Sequence, residues 1–429
     1  MERNLKMIQP FRFLHCGDLH LGTPFKYLKS LGKQVDEFAN RATYKSFEGI
    51  VDLALREQVQ AVIITGDVYD SDTHNLEAQV RFAHECERLH KGHIPVFMVQ
   101  GNHDPSESWA AHIELPPNVH VFSAVEPERK PLVVHGKTVA YIYGMSCSRQ
   151  NRDSNIAKGL VPSGEDPFSI GLFHGTIGGS EDHELVGPCK LNDLLDAGMD
   201  YWAVGHIHKR QILHESPYVV YAGNTQGLHR KEQGPKGCYI VNVGGSGHVQ
   251  LQFHETGAIR FEEEDIDVTK LTSQSEILEM IRHKKEMLRK LKVPVLVSFR
   301  LLGRGPLYDL CNKEEVLQTW LTMSQEEEKN KFAFVLPFRI ASEVKPKEDW
   351  TGRRLTGDMV SDYLKSYDRV GSLPKEESLG ILRQIINKRP EIKRLGLYEA
   401  VLTDELLWEA LRRAEIEGAR YLIGDTDED

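Results

Sequence analysis

The segment "AVGHIHKRQ", residues 203–211, carries two imidazoles separated by one isoleucine at the end of an apolar run. Histidine is the commonest metal ligand in proteins, so His206 and His208 raise the question of a metal site. A lone HxH pair is weak evidence for one, because solvated and core histidines far outnumber ligands. The polar side chains that follow the other apolar runs therefore decide how these two histidines are interpreted.

Four further segments pass from an apolar run directly into metal-competent side chains. They end in "GDLH", "GDVYD", "GNHD" and "FHG". Between them they offer, in chain order, Asp18, His20, Asp67, Asp70, Asn102, His103, Asp104 and His174. In open α/β sheets, ligand sites form at the carboxyl ends of the strands. Five segments with the same polarity therefore predict that these side chains converge on one site.

The types of ligand indicate the chemistry of that site. Imidazole, carboxylate and amide oxygen together suit divalent ions of intermediate character, such as manganese, iron or zinc, and need no thiolate. The set exceeds the roughly four to six ligands that one ion uses, which favours two ions with a bridging carboxylate. Two neighbouring ions can clamp the attacking and leaving oxygens of a phosphoryl transfer. A site of this kind is therefore suited to phosphoryl transfer.

The elements that must position these side chains are short β strands alternating with amphipathic helices. Apolar residues occupy both faces of "FRFLHCGD", "VQAVIITGD", "IPVFMVQGNHD" and "FSIGLFHG", as in strands covered on both sides of a sheet. Amphipathic helices are predicted at "ANRATYKSFEGIVDLALREQ" and "NLEAQVRFAHECERLHK". After residue 200 the strands "YVVYAG", "GCYIVNV" and "HVQLQFHE" follow more closely. Residues 1–258 are therefore predicted to form an α/β layered domain.

The chain beyond residue 258 changes character, and a length of 429 residues leads us to expect more than one domain. Alternating strand and helix patterns predict a small α+β domain over residues 262–342. A polar stretch broken by proline and glycine predicts a linker over 343–354. Helical patterns predict a helical C-terminal region over 355–423, and the acidic residues 424–429 predict a disordered tail.

Composition limits the classes of function. A formal net charge of −10 argues against broad, nonspecific affinity for nucleic acid or membranes. No apolar run approaches the roughly 20 residues needed to span a bilayer. Six cysteines without a CxxC pair favour neither a disulfide framework nor a cysteine-zinc site, so we expect a reducing cytoplasm.

The ordered set D-x-H, GD, GNH[DE], H and GHxH resembles the calcineurin-like metallophosphoesterases over about residues 10–254. The resemblance implies a four-layer phosphoesterase sandwich with two divalent ions, for which manganese is expected and iron and zinc are alternatives. The first ion would be held by Asp18, His20, Asp67 and His208. The second would be held by Asp67, Asn102, His174 and His206, with Asp67 bridging the two ions.

Two residues of the "GNHD" motif are expected to have roles other than binding the ions. The resemblance implies that His103 reaches the scissile phosphate, where it stabilises the charged transition state or protonates the leaving oxygen. We expect the adjacent Asp104 carboxylate to orient the His103 ring.

Four further residues are candidates for binding the substrate. Asp70 could grip the substrate backbone or cap the turn that follows it, and some relatives that cut DNA carry a histidine there. Asn224 could face the site or serve a structural turn. His229 and Arg230 stand together in "LHRKEQGPKGCY", where phosphate contact is favoured slightly over a solvated loop.

The order of the domains narrows the resemblance to SbcD-type DNA-repair nuclease subunits, especially the YhaO-like branch. The segments "HCGDLHLGTPF" and "VSFRLLGRGPLYDL" support it. It implies that the second domain caps the nuclease and that the C-terminal helices dock onto an SMC-like (SbcC/YhaN-type) ATPase. It also implies DNA as a partner, a homodimer, and a bacterial cytoplasm in association with the nucleoid. The apolar residues of the last helix could face the ATPase or pack within their own hairpin: Leu406, Leu407, Trp408, Ala410 and Leu411.

We therefore expect a manganese-dependent DNA phosphodiesterase, a 3′-to-5′ exonuclease with some single-strand endonuclease activity in DNA repair. One alternative is a small-substrate enzyme of the same fold that cleaves cyclic nucleotides or nucleotide conjugates. Comparing the rates at which the protein turns over duplex DNA and a cyclic dinucleotide would distinguish this alternative from a DNA phosphodiesterase. The other alternative is a mainly structural subunit of an ATPase complex with a vestigial site, against which the complete set of ligands argues.

Overall fold

The computed structural model describes residues 8–25, 33–70, 75–104, 113–179, 185–328, 331, 333–347, 350–388 and 403–423. The acidic tail, residues 424–429, and part of the predicted linker lie outside the described residues. The chain divides into two compact units. The first comprises Met1–Glu264, Ile281–Phe299 and Leu321–Ile340, and the second comprises Asp265–Met280, Arg300–Trp320 and Ala341–Asp429.

Strands and helices alternate along most of the described chain. The strands are β1 Phe11–Cys16, β2 Ala61–Ile64, β3 Val96–Met98, β4 Val119–Val121, β5 Glu128–Val134, β6 Lys137–Gly144, β7 Ser169–His174, β8 Tyr201–Gly205, β9 Gln211–Glu215, β10 Tyr218–Tyr221, β11 Gly237–Val243, β12 Val249–Glu255, β13 Arg260–Asp267, β14 Val295–Leu302 and β15 Val335–Ser342. The helices are α1 Lys33–Ala39, α2 Ala42–Arg56, α3 Leu76–Lys91, α4 Leu191–Ala197, α5 Gln274–Arg289, α6 Tyr308–Cys311, α7 Glu314–Glu326, α8 Trp350–Arg353, α9 Met359–Gly371, α10 Lys375–Asn387 and α11 Asp404–Ile423.

The first unit contains two six-stranded mixed sheets. One has the order β12-β11-β1-β2-β3-β4, in which β1 to β4 run parallel and β11 and β12 are antiparallel. The other has the order β5-β6-β7-β8-β10-β9, with parallel strands in the middle and antiparallel strands at both edges. Every residue of β2 and β8 is buried, as expected for parallel strands covered on both faces. A third sheet has the order β13-β14-β15. The α/β class predicted from the sequence is confirmed.

The two large sheets pack face to face through a shared apolar core. Phe13 and Ile63 of the first sheet belong to the same buried cluster as Ile170, Leu172 and Ala203 of the second. Sheets that pack in this way leave their opposite faces to be covered by helices. The core therefore holds the two sheets, and with them the ends of their parallel strands, in a fixed relation.

Helices cover the outer faces of the two sheets. On the first sheet, Phe47 of α2 and Phe82 of α3 stack at 5.4 Å between ring centroids within an apolar cluster that includes the sheet residue Val62. Helix α3 begins where the Asn75 side chain accepts a hydrogen bond from the backbone N–H of Ala78 at 3.1 Å, a favourable N-cap. On the second sheet, α4 packs through its buried apolar residues against the outer face.

The parallel register brings the carboxyl ends of the central strands to one edge. Cys16 of β1 pairs with Ile64 of β2, which pairs in turn with Met98 of β3. In the other sheet, His174 of β7 pairs with Gly205 of β8. The residues that follow these five strand ends therefore emerge together.

The C-terminal helices of the second unit form two small apolar clusters. Helix α9 packs on α11 around Leu364, and α10 packs on α11 around Leu407, which is 1% exposed. Trp408 and Leu411 are partly buried against the second cluster, so this part of the last helix packs against α10. Leu406 is 39% exposed and Ala410 is also exposed. Among the described helices, none is long and apolar enough to cross a membrane.

One core residue makes the stability of the fold sensitive to acid. The Nδ1 atom of His15 lies 2.9 Å from the Tyr201 hydroxyl, and burial lowers the pKa of His15 from 6.5 to about 3. Between these two pH values the unfolded chain binds a proton that the folded chain does not, so stability falls as the pH falls. We expect His15 alone to remove about 2 kcal/mol from the free energy of unfolding between about pH 7.5 and pH 5.

Urea denaturation of the metal-free protein at the two pH values measures this effect. The His15→Leu variant should be less stable at neutral pH but should lose less stability on acidification. An equal pH dependence in wild type and variant would show that His15 is protonated within the fold.

Candidate metal centre

The backbone is held in an uncommon conformation at four of the candidate ligands. Asp18, His20, Asp67 and His206 have φ values of 49°, 43°, 48° and 98°. Such values cost non-glycine residues on the order of 1–3 kcal/mol each and persist only where the surroundings impose them. Here the backbone N–H of Asp18 donates to the Gly66 carbonyl at 3.0 Å, and that of His20 donates to the Asp67 carbonyl at 3.0 Å. The loops after β1 and β2 therefore fix each other.

Two glycines allow these loops to approach the ligands closely. A Cβ atom on Gly101 would lie 2.1 Å from Oδ1 of Asp67, and a Cβ atom on Gly66 would lie 2.7 Å from Nδ1 of His174. Gly66 also has a φ of 96°, which side chains rarely adopt. The glycines of the "GD" and "GNHD" motifs are therefore required by the packing of the site.

Two groups of metal-competent side chains lie at this edge of the sheets. Within each group the candidate ligand atoms all lie within 4.8 Å of one another, and the groups are Asp18, His20 and His208, and Asp67, His174 and His206. His206 and His208 thus belong to different groups, although a single residue separates them. Asn102 joins the second group, because its Oδ1 atom lies 3.0 Å from Nε2 of His174.

Asp67 lies between the two groups. Its Oδ2 atom is 3.4 Å from Nε2 of His174 in its own group and 3.8 Å from Nε2 of His20 in the other. Its Oδ1 atom accepts a hydrogen bond from the backbone N–H of His103 at 2.9 Å. One carboxylate oxygen therefore faces the histidines of both groups.

The electrostatics of the site fit a pair of divalent cations. Burial raises the pKa of Asp18 to about 6, and burial together with the charges of Asp104 and Asp18 raises the pKa of Asp67 well above its usual range. Burial also lowers the pKa of His20 and of His174 well below the usual range, so both rings are neutral and offer a lone pair. Buried carboxylates beside neutral imidazoles are costly unless positive charge compensates them. Nitrogen and oxygen donors of this kind suit divalent ions of intermediate character.

Hydrogen bonds outside the two groups set the direction of two histidine rings. Nδ1 of His174 lies 2.9 Å from the Thr65 carbonyl oxygen, so an N–H at Nδ1 leaves Nε2 free to bind a cation. Nδ1 of His208 lies 2.6 Å from Oε1 of Glu232 in the same way, while its Nε2 atom is 3.0 Å from Nε2 of His20.

Glu232 is a site residue that the sequence analysis missed. Its other carboxylate oxygen accepts from Nδ2 of Asn224 at 2.9 Å and from the backbone N–H of Leu228 at 2.6 Å. Burial would raise the pKa of Glu232, but the hydrogen bond and charge of His208, the Leu228 N–H and the charge of His229 together lower it to about 2. A glutamate in a polar loop 24 positions after His208 carries no spacing signal that could have revealed this contact.

We expect Glu232→Gln to weaken metal binding by about 10- to 100-fold, the usual effect of losing a carboxylate that orients a histidine ligand. The amide still accepts one hydrogen bond but no longer stabilises positive charge on the ring. Calorimetric titration with Mn²⁺ measures the change, with Glu48→Gln on the surface of α2 as the matched control. Equal affinities for all three proteins would show that Glu232 only supports its loop.

Around His103 the structure corrects one expected contact. The Asp104 carboxylate, expected to orient the His103 ring, accepts hydrogen bonds from the backbone N–H groups of Val68, Tyr69 and Gly101 at 2.8–3.0 Å. It thereby ties the loop after β3 to the loop after β2. The turn of the backbone directs Asp104 away from the neighbouring side chain and into these N–H groups.

The carboxylate beside the His103 ring is that of Asp70. Its Oδ1 atom lies 3.9 Å from Nδ1 of His103, and this carboxylate raises the pKa of His103 to about 9. The ring is 45% exposed, so a substrate can reach it. The other oxygen of Asp70 accepts from the Thr23 hydroxyl at 3.4 Å.

The remaining substrate-binding candidates lie in the loop that carries Glu232. Asn224 is buried, and its Nδ2 atom donates to the Gln226 carbonyl at 2.7 Å as well as to Glu232, which suits the structural turn. The Nε2 atom of His229 lies 3.4 Å from Oε1 of Glu232. Arg230 is exposed at the surface of the loop.

Comparison with known proteins gives the family of the chain. The sequence profile of the calcineurin-like phosphoesterases matches residues 11–210. The uncharacterized metallophosphoesterase YhaO of Bacillus subtilis (strain 168) is 36% identical over 346 residues, which cover 80% of this chain and 85% of that protein. The DNA double-strand break repair protein Mre11 of Sulfolobus acidocaldarius is 24% identical over 406 residues, which cover 89% of this chain and 96% of that protein. Among solved structures, a dimetal phosphatase from Danio rerio shows a TM-score of 0.35 at 12% identity, covering 57% of this chain and 99% of that one.

The motifs matched by the family profile are the strand ends that build the two groups of ligands, and the identity to YhaO extends well beyond them. The chain belongs to the calcineurin-like metallophosphoesterases.

Proposed function

We propose that this chain is a metal-dependent DNA phosphodiesterase that acts in DNA repair. The observation that carries the proposal is the pair of His/Asp groups with one carboxylate oxygen of Asp67 facing both. The similarity to an archaeal Mre11, a DNA double-strand break repair protein, supports DNA as the substrate. The coarser activity, hydrolysis of a phosphate ester, follows from the family.

The residues at the strand ends would hold the two ions. We assign Asp18, His20 and His208 to the first ion and Asn102, His174 and His206 to the second, with Asp67 shared between them. When bound, two divalent ions, with manganese as the expected metal, would supply a nucleophile at neutral pH and neutralise the charge that develops on the phosphoryl group. Thr65 and Glu232 would fix the rings of His174 and His208 through their Nδ1 atoms.

His103 is the group that we assign to the leaving oxygen. In the metal-free chain the Asp70 carboxylate raises the pKa of this ring to about 9, which favours its protonated form, and the exposure of the ring allows contact with a substrate. A protonated imidazole can stabilise the charged transition state and then give its proton to the departing sugar oxygen. Asp70, and not Asp104, would hold the ring in this state as a positioning residue.

Finer features of the proposal follow the SbcD-type resemblance. They are a four-layer phosphoesterase domain, a small domain that caps it, 3′-to-5′ exonuclease polarity with single-strand endonuclease activity, and a homodimer in the bacterial cytoplasm. The C-terminal helices would dock onto an SMC-like ATPase. Exposed apolar side chains on α11 support this last assignment, because Leu406, Tyr421 and Ile423 are 39%, 73% and 40% exposed.

Cleavage of an end-labelled linear duplex in Mn²⁺ tests the proposed function. We expect stepwise shortening from one end, and the label that is lost gives the polarity. Faster turnover of a cyclic dinucleotide than of DNA would replace the proposal by a small-substrate phosphodiesterase. Absence of any hydrolysis, even of a chromogenic phosphodiester, would favour a structural subunit.

A further inference from the structure

A cavity of about 150 Å³ is lined in part by His208, one of the candidate metal ligands. It holds several water-sized groups, because one water needs roughly 10–15 Å³. Lys209, Arg210 and Lys236 line it together with His208 and Asn224, and none of its described lining residues is acidic. Three cationic residues therefore line a cavity that shares His208 with the candidate metal centre.

Glu255 acts electrostatically on Arg210, but among the described residues no carboxylate forms an ion pair with Arg210. Its guanidinium lies 3.5 Å above the centroid of the Phe253 ring, a stacked arrangement that fixes the plane of the group. Its Nη1 atom is buried, and no residue in the described part of the chain accepts a hydrogen bond from it. A buried, charged N–H group without an acceptor is costly and rare in folded proteins. A planar guanidinium fixed in this way is suited to the oxygens of a phosphate group.

Lys236 adds a second fixed charge on the wall next to His208. Its Nζ atom donates to the His208 carbonyl oxygen at 3.1 Å, which leaves two of its three N–H groups for other acceptors. Glu232 acts electrostatically on Lys236, but the Glu232 oxygens already accept from His208, Asn224 and Leu228. The cavity therefore keeps a positive character close to the candidate metal centre.

We propose that this cavity is a phosphate subsite, in which Lys209, Arg210 and Lys236 bind a phosphodiester of the substrate chain next to the one that is cleaved. The inference rests on the proposed function for its substrate class, a polynucleotide. A substrate with a single phosphate would fill only the metal centre, whereas a chain of phosphates would fill both sites. The subsite would thus favour polynucleotides over small phosphodiesters.

Fluorescence anisotropy with a short labelled single-stranded oligonucleotide tests the subsite, in the absence of added metal so that no strand is cut. We expect Arg210→Gln and Lys236→Gln to weaken binding by about tenfold each, since each removes a charged hydrogen-bond donor. Each should also lower the slope of log K against log salt by about 0.7. Glutamine at position 236 keeps an N–H group for the His208 carbonyl. Lys91→Gln, on the outer helix α3, removes the same charge and should leave binding unchanged.

Turnover of bis(p-nitrophenyl) phosphate in Mn²⁺ is the second readout, because this substrate has one phosphate. We expect both variants to keep the wild-type rate within about twofold. If Arg210→Gln and Lys236→Gln bind the oligonucleotide as tightly as Lys91→Gln does, the subsite is contradicted. It is also contradicted if these two variants lose dye hydrolysis to the same extent as oligonucleotide binding, because the residues would then act through His208. If the wild-type protein cuts DNA and the two variants bind it normally, only the subsite is contradicted. If the wild-type protein cuts no DNA and the variants bind it more weakly, the proposed function is contradicted and the cavity is a binding site for polyanions.

Discussion

Replacing Asp67 by asparagine is expected to lower the rate of phosphodiester hydrolysis by about a thousandfold, the effect of losing several kcal/mol of transition-state stabilisation by metal ions. Asp67 is the carboxylate whose oxygen lies 3.4 Å from His174 and 3.8 Å from His20. An amide keeps the shape and can still accept the hydrogen bond from the His103 N–H, but it cannot supply negative charge to two cations. We therefore expect loss of at least one of the two ions as well as loss of activity.

Two measurements separate this effect from misfolding. Metal analysis after gel filtration should give two ions per chain for wild type and for the surface variant Asp52→Asn, and fewer than two for Asp67→Asn. The metal-free Asp67→Asn protein should be at least as stable as metal-free wild type, because burial and neighbouring carboxylates oppose the charge of Asp67. Retention of both ions with full activity would remove Asp67 from the centre of the site.

His103→Gln is expected to keep both ions and to lose about 10²- to 10⁴-fold in turnover, the range for removal of a general acid. The two groups of metal-competent side chains do not include His103, although its ring centroid is 5.4 Å from that of His20. Its proton should therefore matter for departure of the leaving oxygen and not for metal binding. Rate measurements at saturating Mn²⁺, paired with metal analysis of the same samples, check both parts of this prediction.

The variant Asp70→Asn tests the carboxylate separately, because it keeps the His103 ring and removes the carboxylate beside it. We expect a smaller loss of turnover than for His103→Gln, again with both ions retained. A chromogenic diester with a good leaving group should be less affected by either variant, since its departing oxygen needs no proton. Full activity of His103→Gln on DNA would contradict the assigned role.

Much of the fold followed from the sequence because buried parallel strands have a clear pattern. The apolar runs ending at Asp18, Asp67, Asn102, His174 and His206 became the central strands, whose ends meet at one edge. The strands that the pattern did not reveal include β4 at the edge of the first sheet, β5 and β9 at the edges of the second sheet, and β6 beside β5. Strand β5 alternates between exposed and mostly half-buried residues, with Leu132 buried, and it carries charged residues and Pro131. These features are typical of edge strands, whose sequence patterns are weak. The acidic run near residue 262 forms β13, in which Phe261 and Ile266 are the buried residues.

Parts of the site could not be predicted because they depend on loops. Glu232 reaches His208 only because its loop folds back over the ring, which no local pattern encodes. Asp104 is next to His103 in the chain, yet the turn sends its carboxylate to backbone N–H groups of another loop. Asp70 is distant from His103 in sequence and close to it in space. Motifs therefore located the ligands, whereas the residues that position them required the three-dimensional structure.

Anomalous diffraction at the manganese edge from crystals grown in Mn²⁺ shows whether the site binds two ions. We expect two peaks, one contacted by Asp18, His20 and His208 and the other by Asn102, His174 and His206, with Asp67 between them. A single peak, or peaks away from these residues, would contradict the dinuclear site on which the proposed function depends.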